Sequence, residues 1–356
     1  MKVKRRRVII AAAAVTVAFA AIVVTDSLDG QDRPHGQGTA VGSAAGTANL
    51  GVFEPLRGRI VYVAGRELRG IDPADPPSVY TLALPSGVES TPVVSGWSAD
   101  GTRLALTDEK NGKTYVMAAD GTVSRARDLP GCCLFVSDPW LSPDGGTAIE
   151  LVTAERLHLR DLEDRDASRV IEFEQPISHL DAWYVPVHAW SPDGARIAIT
   201  VDRRVDNDLA PSVYIVDLDI GTTRELAGLE FGHIRHMTWS PDGSRLLLVA
   251  SPLRLSTITT PANPLTEPLS AGLYLVDPDS PPPSGSATTP QRIAQGHYVA
   301  ATWSPDGDRI AAIDFSPWSR RIVSMRIDGS GLQILLDRLG SGLFTGLAWH
   351  PTPDDR

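Results

Sequence analysis

Cysteine is nearly absent from this 356-residue chain: Cys132 and Cys133 are the only two. That excludes a disulfide-stapled mini-scaffold and a Cys-based zinc module. Lysine is almost as scarce, with 4 Lys against 29 Arg. No G-x-S-x-G nucleophile elbow and no C-x-x-C pair occurs anywhere. Positive charge is short overall, and five of the basic residues, Lys2, Lys4, Arg5, Arg6 and Arg7, crowd the N-terminus. Beyond them stand 28 basic against 43 acidic residues, a balance of −15. A body that acidic repels phosphate backbones and anionic headgroups, so nucleic-acid binding is discarded. Long apolar runs are lacking except one, Val8 to Val24.

That run follows the basic head and carries Thr16 as its only polar residue. At ~1.5 Å per residue it reaches about 25 Å, the short limit of a bilayer span. It also slightly exceeds a usual signal-peptide core, and Ala18-Phe19-Ala20 is a small-x-small cleavage site. Residues 1–24 are therefore read as a signal anchor or a cleaved signal peptide. In both cases the basic head stays cytoplasmic and the rest is exported. The product is either a single-pass membrane protein with its body outside, or a secreted one. Residues 25–55, rich in Gly, Ala, Ser and Thr, are read as a flexible linker. Asn49 to Pro55 is the part of it placed to begin packing on the domain.

What the remainder has is repetition. Trp190 to Ile199 (WSPDGARIAI) returns as Trp239 to Leu248 (WSPDGSRLLL) and Trp303 to Ala312 (WSPDGDRIAA). Trp97 to Leu106 (WSADGTRLAL) is a close variant. Leu141 to Glu150 (LSPDGGTAIE) is a weaker one, and Trp349-His350-Pro351 begins another. Successive spacings are 44, 49, 49, 64 and 46 residues. In each motif Pro fixes φ near −65°, Asp bonds its own backbone and Gly supplies a positive φ, which makes a tight turn between two strands. A second strand pair follows each time. Four short antiparallel strands per unit of this size mark a propeller blade. We label the strands A (ending at Trp) to D. The first B strand, Arg59 to Val63, has no A strand before it, and the last A strand, Phe344 to Trp349, has no B strand after it. The expected fold is an all-β, six-bladed β-propeller over 56–356, closed by the C-terminal strand joining the N-terminal blade.

These W-S-P-D-G-x-R-[IL] repeats resemble those of the TolB-type (PD40, WD-repeat-like) propellers. The resemblance implies the propeller fold and, by analogy, binding of a protein partner. The sequence shows neither the α/β domain that precedes the TolB propeller nor the hydrolase domain of prolyl-oligopeptidase relatives.

Candidate functional residues follow from this frame. The repeated Trp, Ser, Asp and Gly are read as structural. The D-to-A connections open on one face beside the channel. Six residues before each Trp position lie Thr91, Phe135, Tyr184, His233, His297 and Leu343. Tyr184, His233, His236 and His297 are thus the candidate ligand-binding set at the channel mouth, with His188 and His179 nearby. Imidazoles facing one mouth can bind a divalent metal or a ligand. Cys132-Cys133 is a vicinal pair that forms a strained disulfide or stays reduced. Asp202, Asp206 and Asp208 form an acidic B-to-C connection. Inserts at Ser251–Ala271 and Pro278–Pro290 lengthen two loops of the fifth blade. The leading expectation is a non-enzymatic module of the cell envelope, without a resident cofactor, that binds an envelope protein, a glycan or a small ligand. Its membrane contact runs through the N-terminal segment only. The alternative is a metal-assisted hydrolase or lyase at the channel mouth.

Overall fold

Each repeat folds into a small antiparallel meander, because a tight turn every few residues leaves strands too short for anything else. The structure, a computed structural model, describes residues 49–352 apart from 87, 89–91, 108–112, 129–140, 163, 165–166, 175–176, 178–186, 206–207, 227–232, 252–270, 280–289, 317–318 and 340–345. Residues 47–356 form one compact unit. The signal segment 1–24, the bulk of the linker, Tyr184, His179, Cys132, Cys133 and most of both inserts lie outside the described residues.

Six sheets result, in the order of the repeats. Among the described residues five have four strands, and the third has three. In the third blade the described part of the A position is the bridge between Leu141 and Ala148. The fold is thus an all-β six-bladed propeller with almost no helix among the described residues. In blade one the strands Ile60–Ala64, Glu67–Ile71 and Val79–Ala83 are joined on the inside by Ala348–Trp349. There Ile60 pairs with Trp349 and Val61 with Ala348.

The core sits between blades rather than within them. Strand Leu246–Ser251 of blade five shows why. Leu246, Leu248 and Ala250 pack against blade four, while Leu247 and Val249 pack against blade six. Side chains alternate across a strand, so an unbroken apolar run serves two neighbours at once. Every adjacent pair of blades shares one such apolar cluster. A lone blade would expose both faces, so stacking is what makes it stable.

Gly51–Leu56, at the end of the stretch read as linker and within the part placed to begin packing, is a 3-10 helix packed into the domain. Leu50, Phe53 and Leu56 recur every third residue, which aligns them on one face of a three-per-turn helix. All three are buried between blades one and two. The acidic B-to-C connection of blade four is mostly strand: Arg196–Val205 and Asp208–Asp217 pair along ten residues. Asp202 and Asp208 belong to that ladder, which corrects the reading of an acidic connection there, and Asp206 lies outside the described residues.

Candidate functional site

The repeated turn is built the same way in five blades. The Ser hydroxyl donates to the Asp carboxylate, at 2.7 Å for Ser98–Asp100 and 2.5 Å for Ser191–Asp193, Ser240–Asp242 and Ser304–Asp306. Ser142 and Asp144 make the same bond. Each Ser oxygen then accepts the backbone N–H of the residue five positions on, at 2.8–2.9 Å. Each Asp accepts the N–H two positions on. Gly101, Gly145, Gly194, Gly243 and Gly307 all take φ between 70° and 77°. The hydrogen bond from Ser191 holds the Asp193 carboxyl below its usual range. Hydrogen bonds from Ser240 and Ser244 pull Asp242 down to about 2.

This turn delivers its Trp and Pro to the channel. At the A-to-B end lies a cavity of about 190 Å³ lined by all six blades. Trp97, Trp190, Trp239, Trp303 and Trp349 edge it, with Leu141 at the sixth place. Next come Pro143, Pro192, Pro241, Pro305 and Pro351, with Ala99 at the sixth place. Ser95, His236, Thr238 and Thr302 line it further in. His236 stands three residues before Trp239, about 10 Å deeper at ~3.3 Å per residue.

The tryptophans also bind neighbouring backbone. The Trp239 indole donates to the Ala189 carbonyl of blade four at 3.0 Å, and Trp303 to Thr238 of blade five at 3.3 Å. Trp349 donates to Gly58 at 2.9 Å. Motif arginines reach across the same seams. Arg196 lies 4.7 Å over the Trp239 ring, and Arg103 donates to the Gly145 carbonyl at 2.7 Å. The seam between blades one and two is different. Its first turn has His350 where the others have Ser. His350 is fully buried, with its centroid 4.4 Å from Trp97, which meets Phe53 edge-on at 4.9 Å. Burial holds the His350 imidazole below its ordinary range, against hydrogen bonding to Pro351 and Gly101 that favours the cation.

The histidines of the sequence reading separate. His236 is buried and lines the cavity. His233 begins the A strand of blade five, paired with Ser251. His297, half-buried, precedes the A strand of blade six, and its carbonyl accepts the Phe315 N–H at 2.6 Å. Both A strands carry a bulge four residues before their Trp, at Arg235 and at Val299. Among the described residues no group of three or more His, Cys, Asp or Glu is placed to hold a metal ion. Of the cavity lining, sequence reasoning finds His236 and misses the tryptophan and proline residues as a site. Their signal was present in the repeat itself, because six equivalent turns on blades arranged about one axis point equivalent residues at it.

The architecture defines a six-bladed β-propeller whose blades meet through Trp-Ser-Pro-Asp-Gly turns. Its fold is that of the TolB-type propellers. TolB from Acinetobacter baumannii superposes with a TM-score of 0.58 at 18% identity, covering 83% of this chain and 67% of that one. A TolB from Agrobacterium tumefaciens gives 0.50 at 18% identity, over 83% and 95% of the two chains. A propeller in a nidogen/laminin complex gives 0.52 at 12% identity, over 82% and 98%. No protein-family model and no curated protein matches the sequence.

Proposed function

We propose that this protein is a non-enzymatic binding module of the cell envelope that receives a segment of a partner at the A-to-B end of its channel. The observation that carries this is the lining of the cavity. It is built from tryptophan and proline, and His236 is the one titratable side chain among its described residues. Acid–base chemistry needs groups with matched proton affinities in reach of one another, and this lining supplies one. Recognition needs apolar surface on a rigid frame, which it supplies from six blades. At about 190 Å³ the cavity takes one or two apolar side chains rather than a whole small molecule, for which ~300–1,000 Å³ is usual. The likeness to TolB and to a propeller in a complex with laminin supports partner binding by analogy. The basic head and the apolar run Val8–Val24 support a tether in the cytoplasmic membrane with the propeller outside, or secretion if the run is cleaved.

The test is a photo-crosslinking amino acid at position 99, on the cavity rim, or at position 170, on the outer edge of blade three, in intact cells. A discrete adduct at 99 and none at 170, lost when Thr238→Trp fills the cavity, is expected. Adducts indifferent to the filled cavity overturn the proposal.

Metal-assisted hydrolysis or elimination at the opposite mouth is the second reading. It is favoured by the equivalent places of His233 and His297, each two residues before the bulge of its A strand. A rise in Tm with a divalent ion, abolished by His233→Ala, would establish it.

We infer further that Ala348–Trp349 closes the ring. Supporting this, residues 346–349 meet strands of blades one, six and two. Ala348–Trp349 pairs with Ile60–Val61, the Trp349 N–H donates to the Thr302 hydroxyl of blade six, and Gly346 lies against Val94 of blade two.

A further inference from the structure

Resting on the pocket reading above, we infer that the partner segment is cationic: it inserts an apolar residue into the cavity and presents Lys or Arg side chains on either side of it. The observation is a ring of carboxylates around an apolar opening. In five blades the cavity-lining Pro or Ala is followed directly by an aspartate: Asp100, Asp144, Asp193, Asp242 and Asp306. All five are exposed. Each is pinned by the same Ser hydroxyl and backbone N–H. The ring is therefore preorganised, and a partner does not have to order these side chains on binding.

The rest of this face is acidic on balance, with the exposed Arg326 beside the C-to-D turn of blade six standing against the carboxylates. In an up-and-down meander the C-to-D turns emerge at the same end as the A-to-B turns, and they add the exposed Asp120, Asp219 and Asp328. The motif arginines on this side keep their charge, but most are tied down at the seams and do not cover the turn carboxylates. Arg103 donates to Gly145, Arg309 donates to Ser324, and Arg196 is held by Asp279 at 2.7 Å over the Trp239 ring. Arg245 is the exposed motif cation. A face carrying this excess of carboxylate steers cations toward it and repels anionic lipid and acidic protein. The apolar cavity at its centre then sets register. The two features fit one occupant, a Lys/Arg-bearing polypeptide segment with an apolar anchor.

The test uses the full-length chain in neutral detergent and three fluorescein-labelled peptides. The first is Lys-Arg-Pro-Leu-Pro-Arg-Lys. The second has Ser at every cationic position, and the third has Glu. The expected result is binding of the first at least about tenfold tighter than the second in about 50 mM salt, with the third weakest. That advantage should shrink at about 500 mM salt. It should shrink likewise in a variant carrying Asp193→Asn, Asp242→Asn and Asp306→Asn, whose amide oxygens still accept the turn hydrogen bonds. If that variant does not fold, the salt dependence decides. Equal binding of the first two peptides, both abolished by Ala99→Trp in the cavity rim, overturns the cationic partner and leaves the pocket standing. Cationic binding that Ala99→Trp does not touch overturns both, because charge then acts without the cavity. No binding by any peptide also overturns the inference.

Discussion

At the scale of single residues, the aspartate of each turn has two roles that the same hydrogen bonds impose. The bond from Ser240 orders the turn and keeps the Asp242 carboxylate ionised. Its folded value, about 2, lies below the ordinary 3.8. A carboxylate depressed in the folded state stabilises the fold fully above the unfolded value. That contribution disappears as pH falls through the folded one. Solvent screening of this exposed group limits it to about 1 kcal/mol. Asp242→Ala should therefore lower the urea midpoint at pH 7 by that order. The charge-dependent part of the gap to the parent should close between pH 3.8 and about 2, followed by urea titrations across that window. A gap that keeps its full size below that window would mean the carboxylate's charge contributes nothing. His350 is the residue where one turn departs from the others. An imidazole replaces the Ser hydroxyl and fills the seam with ring contacts to Trp97 instead of a hydrogen-bonded turn.

At the scale of elements, the turns interlock neighbouring blades. A Cβ on Gly329, in the C-to-D turn of blade six, would fall 2.0 Å from the Ile293 carbonyl of blade five. Gly221 of blade four meets Glu172 of blade three in the same way, at 2.2 Å. Both also have positive φ, so glycine is required twice over. Gly194, in an A-to-B turn, has φ 71° but nothing nearer than Pro143 at 3.8 Å. Gly194→Ala should cost about 1–2 kcal/mol, the conformational penalty alone. Gly329→Ala adds a backbone collision and should cost about 3 kcal/mol or more. Chemical denaturation of the two variants checks the order, and equal losses would show that the C-to-D turn can move aside. The asymmetry was hidden in the sequence. Both glycines follow an aspartate in a turn, and only the adjoining blade distinguishes them.

At the scale of the whole molecule, stability is a chain of seams, and a ring is as strong as its closure. Among the described residues the smallest apolar cluster joins blades two and three, around Ala105, Val116, Leu141 and Ala148. Backbone and guanidinium bonds across the turns support that seam, with the Ala99 N–H on Pro143 at 2.6 Å and Arg103 on Gly145. At the seams of blade one, Trp349 is buried and bonded to Gly58. If Ala348–Trp349 closes the ring, Trp349→Ala should cost about 3–5 kcal/mol. Ile334→Ala, at a position 46% exposed on the outer strand of blade six, should cost under about 1 kcal/mol. Thermal and urea melts of both variants test this, and comparable losses would count against a closing strand.

The sequence by itself determined the blade. Proline, aspartate and glycine at fixed places make the turn through local sterics and short hydrogen bonds, and apolar runs beside them make strands. Counting those motifs yields six sheets, and unpaired strands at the two ends of the array point to a shared one. Tertiary structure decided what the motif does collectively. Residues 44 to 64 positions apart come together only when the ring forms. The tryptophans, legible as packing between blades, also become the wall of a cavity, and five separate turn aspartates become one ring of charge. The cavity opens at the A-to-B end, whereas histidine spacing drew attention to the other mouth. The sequence placed Asn49 to Pro55 to begin packing, but only tertiary structure decided against what, because Leu50, Phe53 and Leu56 acquire a partner surface only after blades one and two have met.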